Sequence, residues 1–204
     1  QTLALIREQT ATILKGGKRP LMLGGEHSLT LGAVQAALEQ HPQLHLIHFD
    51  AHTDLREEYL GVRFSHASVI RRCWDLMGDG RIAQFGIRSG EREEVLWAKQ
   101  HTKLQPFDFA GLEDVMAALK KGDKPIYFTL DLDVLDPGCF PGTGTPEAGG
   151  VSFQELMKAI RLVIEGNVVA CDVMELAPGL DVSGISTATA CKVVREMLLL
   201  WGAS

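Results

Sequence analysis

Short apolar runs alternate with amphipathic stretches along the chain. The apolar runs predict buried strands at residues 20–25, 44–50, 81–87, 125–133 and 167–176. In the stretches between them, apolar residues recur every three or four positions, which is the period of a helix with one buried face. They predict helices near the amino end and at residues 28–40, 67–76, 91–100, 111–121, 152–165 and 183–201. Apolar strands separated by helices indicate an α/β fold, in which helices cover both faces of a parallel sheet.

Acidic and histidine side chains gather where the predicted strands end. "GGEH" closes the first strand, "HFDAHTD" the second, "LDLD" the fourth and "VMEL" the last. In open parallel sheets, binding sites form at the carboxyl ends of the strands. The sequence therefore predicts one polar site at this edge of the sheet.

Six of these side chains are suitable metal ligands: His27, Asp50, His52, Asp54, Asp131 and Asp133. Four carboxylates gathered at one edge would repel one another unless cations lie between them. Oxygen-rich ligation with some nitrogen and no thiolate suits manganese, magnesium or iron. Bridging carboxylates would allow two ions roughly 3.5 to 4 Å apart, which could lower the pKa of a shared water.

Taken singly, each candidate has a simpler interpretation. An Asp after a strand commonly forms a turn or caps a helix, and an isolated histidine is more often packed or exposed than a ligand. The recurrence of such residues at three strand ends, twice with candidate ligands two positions apart, favours a dinuclear metal site instead.

Composition limits the class of protein. The 204 residues, 46% hydrophobic, predict one domain over residues 1–204. A net charge of -6 argues against a nucleic-acid partner. With no apolar run long enough to span a bilayer and no secretory signal, we expect no membrane association and a cytoplasmic location. None of the four cysteines is in a C-x-x-C pair, so reduced thiols are expected, and the role of Cys139 stays open.

Four segments resemble the signature sequences of the ureohydrolase family, which includes arginases and agmatinases. They are "GGEHS", "HFDAHTD", "FTLDLDVLDPGCFPGTGTPEAGG" and "DVMELAP", in the family's order, and "DVSGISTATACKVVREML" extends the similarity towards the end. The resemblance implies a three-layer arginase-like α/β fold with a mostly parallel central sheet. It also implies two Mn²⁺ ions and a homo-oligomer, a trimer or hexamer.

The resemblance also implies roles for individual residues. One ion would be held by His27, Asp50, Asp54 and Asp131, and the other by Asp50, His52, Asp131 and Asp133. His66 matches the family's proton-shuttle histidine, Glu175 the glutamate that orients the guanidinium group, and Thr145 a threonine that supports that glutamate. Asp54 would help to stabilise the tetrahedral intermediate, and His48 would orient a ligand.

Three departures from the family pattern stand out. Glu26 replaces the usual Asp, which we expect to matter little, and Ala67-Ser68 replace Gly-Thr after the shuttle histidine, in the pocket wall. Family members are also longer at the amino end. We therefore expect this chain to lack one or two edge strands and a loop that helps to close the pocket.

The implied reaction is hydrolysis of a guanidinium group to urea and an amine. Two acidic residues, Glu57 and Glu58, follow the second metal motif. Near the pocket mouth they would favour a substrate tail with an amine and no carboxylate, which is agmatine, giving putrescine; alternatively they are solvated loop charges. The wording of "GTGTPEAGG" and "SHAS" is also closer to agmatinases.

Other functions remain open at this stage. Within the family, the chain could be an arginase, a guanidinobutyrase or a formimidoylglutamase. Outside it, the alternatives are a metal-dependent deacetylase of related fold, with one zinc, and a non-catalytic homologue. The paired carboxylate motifs argue against the deacetylase, and the complete set of candidate residues argues against the homologue.

Overall fold

The computed structural model describes residues 1–202, which form seven α-helices and six β-strands. The helices are α1 (Thr2–Lys15), α2 (Thr30–Gln40), α3 (Val69–Met77), α4 (Arg92–His101), α5 (Leu112–Lys121), α6 (Phe153–Ile164) and α7 (Ile185–Gly202). The strands are β1 (Leu21–Leu23), β2 (His45–Phe49), β3 (Ile82–Ile87), β4 (Lys103–Pro106), β5 (Ile126–Asp131) and β6 (Val168–Met174).

All six strands lie in one parallel sheet, in the order β1-β6-β5-β2-β3-β4. The central strands β5 and β6 are buried along their whole length, because helices cover both faces of the sheet. The expected α/β fold with a parallel sheet is therefore confirmed. None of the helices in residues 1–202 is long and apolar enough to cross a membrane.

Alternate residues of the strands face two separate cores. Ile47 and Phe49 of β2 point into a core completed by apolar residues of α5, α6 and α7. Leu46 points into the opposite core, which α1, α2, α3 and α4 complete. This alternation is the two-residue period of an extended chain, and it produces three layers.

Strand β4 was not predicted from the sequence. It is four residues long, and both its first residue, Lys103, and its last, Pro106, are exposed. It pairs only with β3, so it is an edge strand, where lysine and proline are common. Such a segment lacks the apolar run by which the other strands were recognised.

Three short 3₁₀ turns lie next to predicted helices and strands at the carboxyl edge of the sheet. The predicted helix at residues 28–40 begins as a turn at His27–Leu29, and a second turn, His66–Ser68, precedes α3. The predicted strand at residues 125–133 ends at Asp131, and Leu132–Val134 form a third turn. These turns carry candidate site residues, and they direct the side chains towards one another.

Candidate metal centre

His27 lies at the centre of one group of candidate ligands. Its Nδ1 is 3.0 Å from Oδ2 of Asp131, 3.3 Å from Oδ2 of Asp50 and 3.4 Å from Oδ2 of Asp54. All four residues are buried. Residues from three separate strand ends therefore meet at one point, as the sequence predicted.

A second group lies next to the first. Nδ1 of His52 is 2.9 Å from Oδ2 of Asp133 and 3.4 Å from Oδ1 of Asp50. One oxygen of Asp50 therefore faces the first group, and the other oxygen faces the second. Two sets of potential metal ligands share this residue. A shared carboxylate is the arrangement required to bridge two cations.

The candidate ligands spaced two positions apart lie in turns that follow the ends of β2 and β5. Strand β2 ends at Phe49, before Asp50, and Oδ1 of Asp50 accepts a hydrogen bond from the backbone N–H of His52 at 2.5 Å. Oδ1 of Asp131 likewise accepts from the N–H of Asp133 at 2.8 Å. Each aspartate therefore forms a local turn with one oxygen.

The backbone of Asp54 is left-handed, with φ of 52°. This region is unfavourable for residues other than glycine, although aspartate tolerates it better than most. Strained residues cluster at functional sites, where the surrounding structure holds them in place. Here the strain accompanies a carboxylate that points into the cluster, 3.4 Å from His27.

Two buried atoms show that the cluster fits a cation. Nδ1 of His27 and Oδ2 of Asp133 have no hydrogen-bond partner among the described residues, although each lies close to other nitrogen or oxygen atoms. Buried polar atoms are rarely left without a partner. Imidazole nitrogen and carboxylate oxygen without any thiolate suit a divalent ion such as manganese, so the residues present fit the metal.

The pKa values of the cluster also indicate that positive charge stabilises it. Burial, together with the charge of Asp50, raises the pKa of both Asp54 and Asp133. Burial and neighbouring carboxylates also raise the pKa of Asp131 well above its usual value. Burial opposes a charged His52, yet its interactions with Asp133 and Asp50 raise its pKa to about 12. Without a metal, the carboxylates draw protons into the site.

His48 supports Asp50 from behind. Its Nδ1 lies 3.1 Å from Nε2 of Gln84, an amide nitrogen that can only donate, so Nδ1 is the acceptor. The other nitrogen, Nε2, then carries the proton and donates to Oδ2 of Asp50 at 2.7 Å. Burial lowers the pKa of His48, which keeps the ring neutral. Gln84 was not identified from the sequence, because one glutamine in a buried strand carries no distinctive signal.

The cluster opens into a cavity of about 420 Å³, which His66, Thr145 and Glu175 also line. Glu175 has a left-handed backbone with φ of 64°, and its Oε1 accepts from the backbone N–H of His27 at 2.7 Å. Burial raises the pKa of Glu175. His66 is half exposed, and its Nδ1 lies 3.3 Å from Oε1 of Glu26. All nine predicted site residues therefore lie in or around this cavity.

The departures from the family pattern also lie here. Glu26 contacts His66, so this substitution lies beside a candidate catalytic side chain, and the expectation that it matters little stays a prediction. Ala67 lines the cavity, whereas the hydroxyl of Ser68 accepts from the backbone N–H of Ser65 at 3.1 Å and closes a turn.

The acidic residues at the rim of the cavity differ from those expected. Glu57 and Glu58 do not line the cavity. Glu57 instead pairs with Arg71 at 2.9 Å and with the buried Arg72 at 3.3 Å. The structure therefore favours the alternative interpretation, in which Glu57 and Glu58 are loop charges outside the cavity. The exposed acidic residues that line the cavity are Glu26 and Glu91, and Glu91 pairs with Arg56 at 3.0 Å.

Comparisons with known proteins agree with this geometry. Residues 1–200 match the model of the arginase family. The chain is 44% identical to agmatinase from Bacillus anthracis, a match that covers 98% of this chain and 70% of that protein. It is 42% identical to agmatinase from Bacillus subtilis, covering 98% of this chain and 69% of that protein.

A solved structure shares the fold over nearly the whole chain. The agmatine ureohydrolase of Thermoplasma volcanium superposes with a TM-score of 0.89 at 31% identity, covering 98% of this chain and 68% of that one. The family match and the three-layer parallel sheet confirm the resemblance that the signature segments indicated. The chain belongs to the arginase family.

Proposed function

We propose that this protein hydrolyses the guanidinium group of agmatine, giving putrescine and urea. The observation that carries the proposal is the cluster of buried histidines and aspartates that share Asp50, at the base of a cavity that Glu175 also lines. Relatives at 42–44% identity that bear the name agmatinase support the choice of substrate.

The cluster would hold two Mn²⁺ ions. We assign one ion to His27, Asp50, Asp54 and Asp131, and the other to Asp50, His52, Asp131 and Asp133. Asp50 supports the assignment, because its two oxygens face different histidines. When bound, the two cations would activate a water molecule for attack at neutral pH.

Glu175 would bind the guanidinium group. Its Oε1 is held by the N–H of His27, which leaves Oε2 to accept from the substrate. A hydrogen bond between a carboxylate and a guanidinium is charge-assisted, and it fixes the planar group in one orientation. Thr145, in the same cavity wall, would support Glu175. Binding a cation at Glu175 would also offset the cost of burying its negative charge.

Two further residues would act on the reacting carbon and its leaving group. Asp54, fixed by its left-handed backbone, would accept a hydrogen bond from the tetrahedral intermediate. The departing amine needs a proton, and the imidazole of His66 at the cavity rim is a side chain that can carry one to it. The carboxylate of Glu26 can only accept, so the contact favours a proton on Nδ1 of His66 and leaves Nε2 to exchange protons.

The charged residues at the rim of the cavity would determine which substrate tail binds. Glu26 and Glu91 place negative charge there, which suits the terminal ammonium of agmatine. Arg56 also lines the rim, and this favours a second candidate whose tail is a carboxylate, 4-guanidinobutyrate. Since Arg56 and Glu91 pair at 3.0 Å, their charges largely balance each other, and the remaining charge of Glu26 makes agmatine the better match.

A urea-release assay tests the proposal directly. The protein is loaded with Mn²⁺ and supplied in turn with agmatine, arginine and 4-guanidinobutyrate. We expect agmatine to give the highest kcat/KM. Faster turnover of arginine or 4-guanidinobutyrate would overturn the choice of substrate, and no urea from any of the three would overturn the proposed reaction.

A further inference from the structure

A buried carboxylate lies behind the cluster and belongs to neither set of ligands. Asp172, on β6, is completely buried. Its Oδ2 accepts from the hydroxyl of Tyr127 at 2.6 Å and from that of Thr30 at 2.8 Å. Its Oδ1 is also buried and has no hydrogen-bond partner among residues 1–202. A fully buried aspartate is rare unless it is paired, so its position in the core requires an explanation.

Thr129 connects Asp172 to the cluster. The two residues are direct neighbours across the parallel pair of β5 and β6, so their side chains lie side by side on one face of the sheet. Oγ1 of Thr129 lies 2.8 Å from Nε2 of His27. The other ring nitrogen of His27, Nδ1, points towards Asp131, Asp50 and Asp54.

The chemistry of His27 sets the direction of these contacts. To bind a cation, Nδ1 must be unprotonated, so the ring proton must be on Nε2. Nε2–H then donates to Oγ1 of Thr129. The hydroxyl of Thr129 keeps its own proton to donate, and the unsatisfied Oδ1 of Asp172 is the neighbouring acceptor.

We propose that Asp172, acting through Thr129, is a positioning residue that holds His27 in its metal-binding tautomer. The inference rests on the proposed function in one respect, namely that His27 is a metal ligand. The negative charge of Asp172 matters, because a carboxylate accepts from Thr129. A group that donates would reverse the chain of hydrogen bonds and place the proton on Nδ1, where it blocks the cation.

Three substitutions test this direction. Thr129→Val removes the hydroxyl at nearly constant volume, Asp172→Asn replaces an acceptor with a group that can also donate, and Thr129→Ser keeps the hydroxyl. The measurement is calorimetric titration of metal-stripped full-length protein with Mn²⁺. Loss of a residue that orients a ligand lowers metal affinity by about 10- to 100-fold. We expect losses in this range for Thr129→Val and Asp172→Asn, no larger loss for the double variant, and near wild-type affinity for Thr129→Ser.

Tyr127→Phe is the matched control. It removes another hydrogen bond from the same carboxylate but does not contact His27. We expect its thermal unfolding temperature to fall while Mn²⁺ affinity stays near that of the wild type. Circular dichroism identifies folded variants, and Thr129→Val, which buries no new polar group, is the decisive one if Asp172→Asn does not fold.

Two results would overturn the inference: a folded Thr129→Val variant with wild-type Mn²⁺ affinity, or a Tyr127→Phe variant that loses as much affinity as Thr129→Val. The proposed function fails differently. If the wild type binds no Mn²⁺, or if His27→Ala binds it as well as the wild type does, the metal centre itself is wrong.

Discussion

Nε2 of His48 lies 2.7 Å from Oδ2 of Asp50, the carboxylate that faces both His27 and His52. A neutral histidine, held by Gln84, thus orients the acid on which both halves of the cluster depend. The hydrogen bond fixes the rotation of the carboxyl group, so each oxygen faces a different half.

The first prediction concerns this contact. In His48→Phe, Asp50 loses a buried donor, and leaving such an acceptor unsatisfied costs about 1–3 kcal/mol. We expect a lower unfolding temperature and, because Asp50 is no longer oriented, Mn²⁺ affinity reduced about 10- to 100-fold. Thermal unfolding and metal titration measure both effects. His45→Phe, on the same strand but outside the cluster, is the control, and equal metal affinity in the two variants would contradict the role of His48.

The second prediction separates proton transfer from metal binding. His66→Ala should retain its Mn²⁺ but turn over agmatine about 10²- to 10⁴-fold more slowly, the range for loss of a general acid. Metal analysis and kcat provide the two readouts. His101→Ala, far from the cavity, should behave like the wild type. Unchanged turnover in His66→Ala would remove this histidine from the mechanism.

The third prediction concerns the guanidinium contact. Glu175→Gln keeps an oxygen that can accept from the N–H of His27, so the local fold should persist. It loses the charge, and hydrogen bonds to charged groups contribute about 1.5–3 kcal/mol. We therefore expect kcat/KM for agmatine to fall by about 10- to 150-fold, with Mn²⁺ content unchanged. Steady-state kinetics that show no loss would argue against contact between Glu175 and the substrate.

The fourth prediction follows from the pairing of Glu57. Because Glu57 does not line the cavity, Glu57→Ala should leave the KM for agmatine within about twofold of the wild type, as for an ordinary surface substitution. Stability should fall, since the buried Arg72 loses a partner. Glu91→Ala is the comparison, and its KM should rise because Glu91 lies at the rim. A large KM increase in Glu57→Ala alone would restore its role in substrate binding.

The fifth prediction concerns pH and metal removal. In the metal-free protein the pKa of His52 is raised to about 12 from its ordinary value of 6.5. Above pH 6.5 the folded state therefore binds more protons than the unfolded state. The stability that protonated His52 gives the folded protein is complete below that pH and is lost as the pH rises towards 12. With EDTA, the unfolding temperature should fall between about pH 7 and pH 9. Added Mn²⁺ should restore more stability at the higher pH, because it replaces those protons. A metal-free protein equally stable at both pH values would contradict this account.

The sequence predicted the layers and the convergence of the site because both follow from local patterns. Apolar runs such as 126–131 mark buried strands, and acids at strand ends must meet when the strands are parallel. The local geometry around those acids could not be predicted from the same patterns. The predicted strands ran on to Asp50 and to Asp133, whereas β2 ends at Phe49 and β5 at Asp131, and one oxygen of each aspartate closes the turn that follows.

The residues that support the candidate ligands could not be identified from the sequence for a related reason. Gln84 and Asp172 lie in apolar strands, where a single polar residue shows nothing about its partners. Their importance depends on contacts with His48 and Thr129, which come from other strands. Two interpretations of Glu57 stayed open, because its place beside a metal motif does not show whether it faces the pocket or pairs with the arginines of α3.

The left-handed backbones of Asp54 and Glu175 have a practical consequence for anyone who alters the enzyme's specificity. At these two positions the chain conformation strongly disfavours β-branched side chains, whatever their chemistry. Library members with such residues there would carry a backbone strain of about 1–3 kcal/mol. Diversity is better introduced along the rim, at Arg56 and Glu91, whose backbones have ordinary negative φ and whose side chains reach the solvent.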